Sequence, residues 1–121
     1  MFMVMCVIDD PALLEDVLHE WQRVGINGAT ILESSGMQRR LACQLLIPQR
    51  YAFEGLTESC SEGHYTLLTI VPDEVAVQTS LHAAEKVVGD FSLPHTGIFA
   101  CWPLGFVKGI MDGQIPEQGK P

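Results

Sequence analysis

The chain has 121 residues, of which 47% are hydrophobic and 18% are charged, and its formal net charge is −8 at pH 7. This length predicts a single domain with enough apolar content for a buried core. The acidic balance argues against a nucleic-acid-binding protein and against binding to an anionic membrane surface, because both depend on Lys and Arg. No stretch approaches the roughly 20 apolar residues of a membrane span, so we expect no direct membrane insertion.

The first element is the apolar run Phe2–Ile8, FMVMCVI. A short run that is apolar at every position predicts a central strand covered on both faces. It lacks a basic leader and a small-residue cleavage site, so we interpret it as a strand and not as a signal peptide, and we expect a cytoplasmic protein. Asp10 and Pro11 follow, and they suit the cap and the first position of a helix.

A helix and a second strand complete this first unit. Apolar residues recur at helical spacing, namely Leu14, Val17, Leu18 and Trp21. Gly25 suits a left-handed helix cap, and Ile26 beyond it is placed to fold back on Trp21. Residues 29–33 then predict a strand, so the first third of the chain reads strand, helix, strand with short connections.

The same order of elements returns later in the chain. Residues 64–71 are strand-like, Pro72-Asp73-Glu74 is a second helix start, and residues 97–102 predict a last strand. A second apolar stripe lies between them, formed by Val77, Leu81, Ala84 and Val88. Two such units with right-handed crossovers predict an α+β fold, a ferredoxin-like βαββαβ sandwich with a four-stranded antiparallel sheet and two helices on one face.

This architecture leaves one face of the sheet bare, although the first strand is apolar on both faces. Exposed apolar faces of that size usually pair with a partner. We therefore expect a homo-oligomer in which the open sheet faces turn inward.

The connection at residues 36–62 is the longest one in the chain. Loops beyond about 12–15 residues are uncommon in a compact domain and are usually functional or mobile. Arg39, Arg40 and Arg50 are three of only seven basic residues, and such clustering in an acidic protein favours an anionic ligand or an acidic partner. The alternative, left open, is a solvated hairpin whose arginines pair with its own glutamates.

A second informative loop, GDFSLPHTG, runs from Gly89 to Gly97. Glycine-rich turns can direct backbone N–H groups at a phosphate, but the same sequence also suits a helix cap followed by a plain turn. Residues 113–121 are rich in Gly and Pro within polar sequence and predict a disordered tail. The folded domain is therefore expected to span residues 1–112.

No catalytic motif is present: the chain has no GxSxG, no Walker GK[ST] and no HExxH. We therefore predict that the protein is not an enzyme and has no catalytic residues. The four cysteines, Cys6, Cys43, Cys60 and Cys101, form no CxxC pair, and we predict no metal site. A metal would need distant ligands to converge, such as Cys60 with His64 or His82 with His95.

The segment DVLHEWQRVGINGATILESSG at residues 16–36 resembles the first helix and second strand of the P-II nitrogen-regulatory signalling proteins. Val88-Gly89-Asp90, with Gly97-Ile98-Phe99 after it, is similar to their nucleotide-binding turn and last strand. The resemblance covers most of residues 3–102. It implies a homotrimer for signal transduction, with residues 36–62 as an effector loop that touches a protein partner. It also implies that adenine nucleotides bind in clefts between subunits.

The resemblance and the basic residues together give a set of ligand-binding candidates: Gly36, Gln38, Arg39, Arg40, Gly89, Asp90, Gly97 and Lys108. Gly97 stands where the family has a lysine before the Ile-Phe pair. The family's basic motif after the last strand is replaced by CWPL, with only Lys108 nearby. These departures favour a small anion or AMP or ADP over ATP. The alternative function is a structural or metal-tolerance-type trimer of similar fold that binds no nucleotide.

Overall fold

The structure, a computed structural model, describes residues 1–37, 40–41 and 63–110. Its elements in chain order are β1 (Phe2–Ile8), a 3₁₀ turn (Pro11–Leu13), α1 (Leu14–Arg23), β2 (Thr30–Ser34), β3 (His64–Val71), α2 (Glu74–Val88) and β4 (Gly97–Pro103). The strands form one antiparallel sheet in the order β2-β3-β1-β4. The predicted α+β class, the four-stranded antiparallel sheet and the two helices are thereby confirmed.

Strand β1 lies at the centre of the sheet, as its unbroken apolar run predicts. All seven of its residues pair with β3 on one side and with β4 on the other. Val4, Cys6 and Ile8 are fully buried, whereas the residues between them are only half-buried. The two sides of β1 therefore have different surroundings, although both are apolar.

An aspartate caps the turn that leads into α1, and a second aspartate caps α2. The Asp10 carboxylate accepts a hydrogen bond from the Ala12 amide at 3.0 Å, and the Asp73 carboxylate accepts one from the Ala76 amide at 2.8 Å. The first turn differs from the prediction, because the chain from Pro11 is a 3₁₀ turn and the α-helix begins only at Leu14. Such tighter turns are common at helix N-termini.

The covered face of the sheet, defined by Val4, Cys6, Ile8, Leu67, Thr69 and Val71, carries both helices. Val17 and Trp21 of α1 and Val77 and Ala84 of α2 lie in the same buried cluster as these strand residues. The Trp21 indole N–H donates to the Ser80 carbonyl oxygen at 3.1 Å and so joins the two helices. Ile26 is buried and its amide donates to the Trp21 carbonyl at 2.9 Å, which matches the predicted fold-back after Gly25.

Most of the predicted effector loop at residues 36–62 and all of the predicted tail at residues 113–121 lie outside the described residues. Within the part of the chain that the structure describes, neither helix has the length and apolar character needed to cross a membrane.

Candidate functional site

The second side of the sheet, here called the open face, is the side opposite the one that α1 and α2 cover. The strand register assigns to it Met3, Met5, Val7, Thr30, Leu32, Ser34, His64, Thr66, Leu68, Ile70, Ile98, Ala100 and Trp102. Leu32, Ile98 and Trp102 are 47%, 56% and 43% exposed. The open face is thus a mostly apolar surface in contact with solvent in the isolated chain.

The predicted ligand-binding residues fall in three separate places. Gly36 and Arg40 follow β2, at one edge of the sheet, and the Arg40 amide donates to the Gly36 carbonyl at 3.0 Å. Gly89, Asp90 and Gly97 belong to the turn between α2 and β4, at the other edge. The two edge strands are three strand spacings apart, or about 14 Å. One copy of the chain therefore does not bring these two groups together.

Lys108 lies in a third place. Strand β4 starts beside the end of β1, where Gly97 pairs with Ile8, and finishes beside the start of β1, where Pro103 pairs with Phe2. The turn between α2 and β4 that contains Gly89 and Gly97 is called the glycine turn here. The segment that carries Lys108 thus leaves the sheet at the end opposite this turn. Lys108 is exposed, and Gln38 and Arg39 lie outside the described residues.

The glycine turn already uses its own backbone donors. The Gly89 amide donates to the Glu85 carbonyl at 3.0 Å, and the Phe91 amide donates to the Glu85 carboxylate at 3.1 Å. The Ser92 amide and hydroxyl donate to the Asp90 carboxylate at 2.8 and 2.7 Å. These two hydrogen bonds hold the pKa of the Asp90 carboxyl below its usual value, and the bond from the Ser92 amide has the larger effect. The turn therefore presents two carboxylates where a phosphate-binding turn would present free N–H groups.

Gly97 has a packing role that sequence reasoning missed. Its φ is +140°, and a Cβ at this position would collide with the carbonyl oxygen of Val7 on the neighbouring strand. The Phe91 ring would lie 3.3 Å from the same atom. Glycine at this position therefore lets β4 approach β1 closely, whether or not a ligand binds nearby.

A polar cluster that the sequence did not reveal lies where the long connection leaves and rejoins the sheet. The Ser34 hydroxyl is 2.6 Å from His64 Nδ1, 2.8 Å from the Thr66 hydroxyl and 3.1 Å from the His64 carbonyl oxygen. Gly63 permits this close approach, because a Cβ there would collide with the Ser34 carbonyl. Ser34 and His64 meet only through the β2–β3 register, so residue spacing along the chain gave no signal.

A cavity of about 230 Å³ opens at the end of the open face nearest the start of β2. Its lining is uncharged and includes Met3, Ala29, Thr30, Leu68, Ile70 and Ile110. The Thr69 hydroxyl in its wall donates to the Gly28 carbonyl at 2.6 Å. This lining suits a flat apolar or aromatic group better than a charged one.

Across residues 1–37, 40–41 and 63–110, no group of three or more His, Cys, Asp or Glu side chains is arranged to hold a metal ion. In comparisons with known proteins, no family model matches the chain and no curated protein matches it.

Proposed function

We propose that the chain is a divergent P-II-like regulatory protein of ferredoxin-like architecture. It forms a homotrimer, binds a small effector in clefts between subunits and regulates a protein partner through residues 36–62. The strand order supports the architecture, because β3 lies between β1 and β2 while β1 lies between β3 and β4. Each strand-helix-strand unit then receives a strand of the other, as expected for a split βαβ arrangement.

The placement of the ligand-binding candidates carries this proposal. Gly36 and Arg40 follow the edge strand β2, whereas Gly89 and Gly97 belong to the turn that leads into the other edge strand, β4. Both groups lie at the same end of the sheet. When copies stand edge to edge around an axis, the β2 edge of one copy faces the β4 edge of the next. The two groups then line one cleft, which they cannot do within a single chain.

A second copy of the chain is the occupant that the open face fits best. Two copies with a formal charge of −8 each repel one another, and a contact surface without carboxylates adds least to this repulsion. The open face carries no Asp, Glu, Lys or Arg among its described residues. Apolar contact there stabilises association without burying unpaired charges.

The effector is expected to carry little negative charge. Arg40 and Lys108 are exposed and form no ion pair with another described residue, so they are available to an anion. The turn carboxylates of Glu85 and Asp90 oppose a polyphosphate at the same cleft. A ligand with an apolar ring and one or two phosphates, such as AMP or ADP, fits this balance better than ATP.

The second candidate function is a structural or metal-tolerance-type trimer without nucleotide binding. The occupied donors of the glycine turn favour it, because the Phe91 and Ser92 amides are already bonded to carboxylates. In this case the clefts bind no adenine nucleotide, while assembly through the open face is unchanged.

Light scattering and calorimetry test these proposals in sequence. We expect the mass of three protomers at micromolar concentration and a monomer for Met5→Lys, whose charge falls on the open face. Calorimetric titration with AMP, ADP and ATP is then expected to show binding of AMP or ADP that weakens with salt and is lost in Arg40→Ala. Arg23→Ala is the matched control, because Arg23 pairs with Glu20 on α1 at 2.9 Å.

The outcomes separate the candidates. A trimer that binds none of the three nucleotides supports the structural alternative. Tight ATP binding that persists in Arg40→Ala contradicts the site assignment. A monomer at micromolar concentration contradicts both trimeric functions.

A further inference from the structure

His64 has an unusual position on the open face. Of the described residues that the strand register places there, it is the only one whose side chain can ionise near neutral pH. Its neighbours on that face are apolar or carry hydroxyl groups. Protonation of His64 places a positive charge on a surface that carries no other charged side chain among the described residues.

The hydrogen bonds of Ser34 favour one arrangement of hydrogens around the His64 ring. Ser34 has one hydroxyl hydrogen, and the His64 carbonyl at 3.1 Å can only accept it. When Ser34 gives its hydrogen to this carbonyl, His64 Nδ1 at 2.6 Å and the Thr66 hydroxyl at 2.8 Å donate to the Ser34 oxygen. In this arrangement the neutral ring carries its hydrogen on Nδ1, and Nε2 is the nitrogen left to accept a proton.

Nε2 lies on the side of Gly36. A Cβ built on Gly36 would be 3.5 Å from Nε2, which is ordinary contact, so backbone adjoins this nitrogen on one side. The Nδ1 bond to Ser34 is the same in both charge states, because Nδ1 is a donor in each. Protonation thus adds a charge at Nε2 without disturbing the cluster.

No charged group of opposite sign is paired with His64 among the described residues. On β2, Glu33 pairs with Tyr65, and both belong to the other side of the sheet. On β1, Asp9 follows Ile8, the last paired residue, and its amide bonds to Thr96. Arg40, a helical residue after β2, is exposed and carries positive charge. A protonated His64 covered by another copy would therefore lose water without gaining a carboxylate.

We propose that His64 makes assembly through the open face sensitive to protons. This inference rests on the proposed trimer and adds its regulation: neutral His64 permits the copies to associate, and protonated His64 separates them. Burial favours the neutral ring, so the stabilising contribution is present at higher pH and is lost as the pH falls. When a group must release one proton for the copies to associate, the association constant falls by up to tenfold for each unit by which the pH is lowered. With one such group in each of three copies, the association constant of the trimer falls by up to about a thousandfold per pH unit.

The direction of the change distinguishes this effect from the protein's net charge. The formal charge of −8 becomes less negative as histidines are protonated, which reduces the repulsion between copies. Net charge alone therefore predicts stronger association at lower pH, whereas His64 predicts weaker association.

Sedimentation velocity of the full chain at pH 7.5 and pH 5.5, at one ionic strength, tests the proposal. We expect a trimer at pH 7.5 and dissociation at pH 5.5, with His64→Asn trimeric at both. Asparagine keeps a group able to hydrogen-bond with Ser34 but cannot take a charge. His82→Asn is the matched control, since His82 lies exposed on α2, and it is expected to dissociate at pH 5.5 like the wild type.

Each other result counts against the inference. A wild-type trimer that persists at pH 5.5 overturns it and leaves the proposed trimer intact, whereas a monomer at pH 7.5 overturns both. Dissociation of His64→Asn at pH 5.5 assigns the effect to another group. Should His64→Asn fold poorly, the wild-type association constant measured at half-unit pH steps decides the question, because a flat profile between pH 7.5 and 5.5 contradicts proton release.

Discussion

The two faces of the sheet come from the same strands, yet only one of them is covered by the helices in the folded chain. On the covered face, Val4, Cys6 and Ile8 are fully buried under the helices. On the open face, Met3, Met5 and Val7 are only half-buried, although they alternate with those residues along β1. The hydrophobicity of β1 therefore does not reveal which face the chain itself covers. The helices make that choice, and the remaining face stays in contact with solvent in the isolated chain.

This difference separates two kinds of apolar residue that a sequence shows as one run. Residues of the covered face contribute to the stability of the isolated chain. Residues of the open face contribute to it weakly and are expected to contribute mainly to association. Substitutions in the two faces should therefore move different measurements, and the following predictions run from the largest expected effect to the smallest.

The largest effect is expected for a charge placed on the covered face. Val4→Asp puts an unpaired carboxylate at a position with 0% exposure, which is expected to cost more than about 3 kcal/mol of unfolding free energy. Met5→Asp, one residue away on the open face, is expected to leave the stability of the monomer within about 1 kcal/mol. Urea denaturation monitored by circular dichroism measures both. Equal losses in the two variants would show that the faces do not differ as described.

The next effect tests the close approach of β4 to β1. Gly97→Ala is expected to cost about 2–3 kcal/mol, because the added Cβ meets the Val7 carbonyl and the φ of +140° is strained for alanine. Gly89→Ala is the control: its φ is also positive, but a Cβ there meets no atom within 4 Å, so only about 1 kcal/mol is expected. If glycine is needed at position 97 only for ligand binding, Gly97→Ala will be no less stable than Gly89→Ala in thermal unfolding.

A smaller loss is expected from the hydrogen bond that joins the helices. Trp21→Phe removes the donor to the buried Ser80 carbonyl and leaves a small void, with an expected cost of about 2 kcal/mol. Trp102→Phe, on the open face, is expected to change monomer stability by less than about 0.5 kcal/mol. Chemical denaturation of the two variants gives the comparison directly. A larger loss at Trp102 would mean that the isolated chain depends on the open face.

The last prediction concerns chemical access and leaves stability at neutral pH unchanged. Burial raises the pKa of the Cys6 thiol from 9.0 to about 12, which cuts its thiolate population about a thousandfold. In a Cys43→Ser/Cys60→Ser background, iodoacetamide at pH 8 is expected to label exposed Cys101 first and Cys6 only on unfolding. Mass spectrometry after timed quenching measures the order. Because the folded pKa is raised, Cys6 stabilises the fold below pH 9, and this contribution disappears as the pH rises towards 12.

The elements of this fold were largely predictable, because each depends on local chemistry. The apolar run gave β1, the aspartates gave the helix starts, and the spacing of Val17 and Trp21 gave the buried side of α1. These signals lie within a few residues of one another. The difference at Pro11, where a 3₁₀ turn precedes the α-helix, is a matter of hydrogen-bond register over one turn.

The candidate site was less predictable, because it depends on which strands become neighbours. The Ser34–His64 contact arises from pairing across a connection that local patterns do not explain. The carboxylate of Glu85 satisfies the Phe91 amide only because the chain turns back at the end of α2. A glycine-rich sequence predicted donors for an anion, yet it did not show that the acidic side chains beside them accept the bonds first.

The central place of β1 also has a consequence for how the chain is made. Its partners β3 and β4 are translated long after it: between Ile8 and Gly97 a ribosome adding 5–20 residues per second needs about 5–20 s. For more than half of that time, until β3 has been synthesised, the apolar run Phe2–Ile8 has no native strand beside it. Nascent chains in this state are prone to wrong pairing and aggregation. The yield of folded protein on expression should therefore rise with a lower growth temperature and with added chaperones more than its small size suggests.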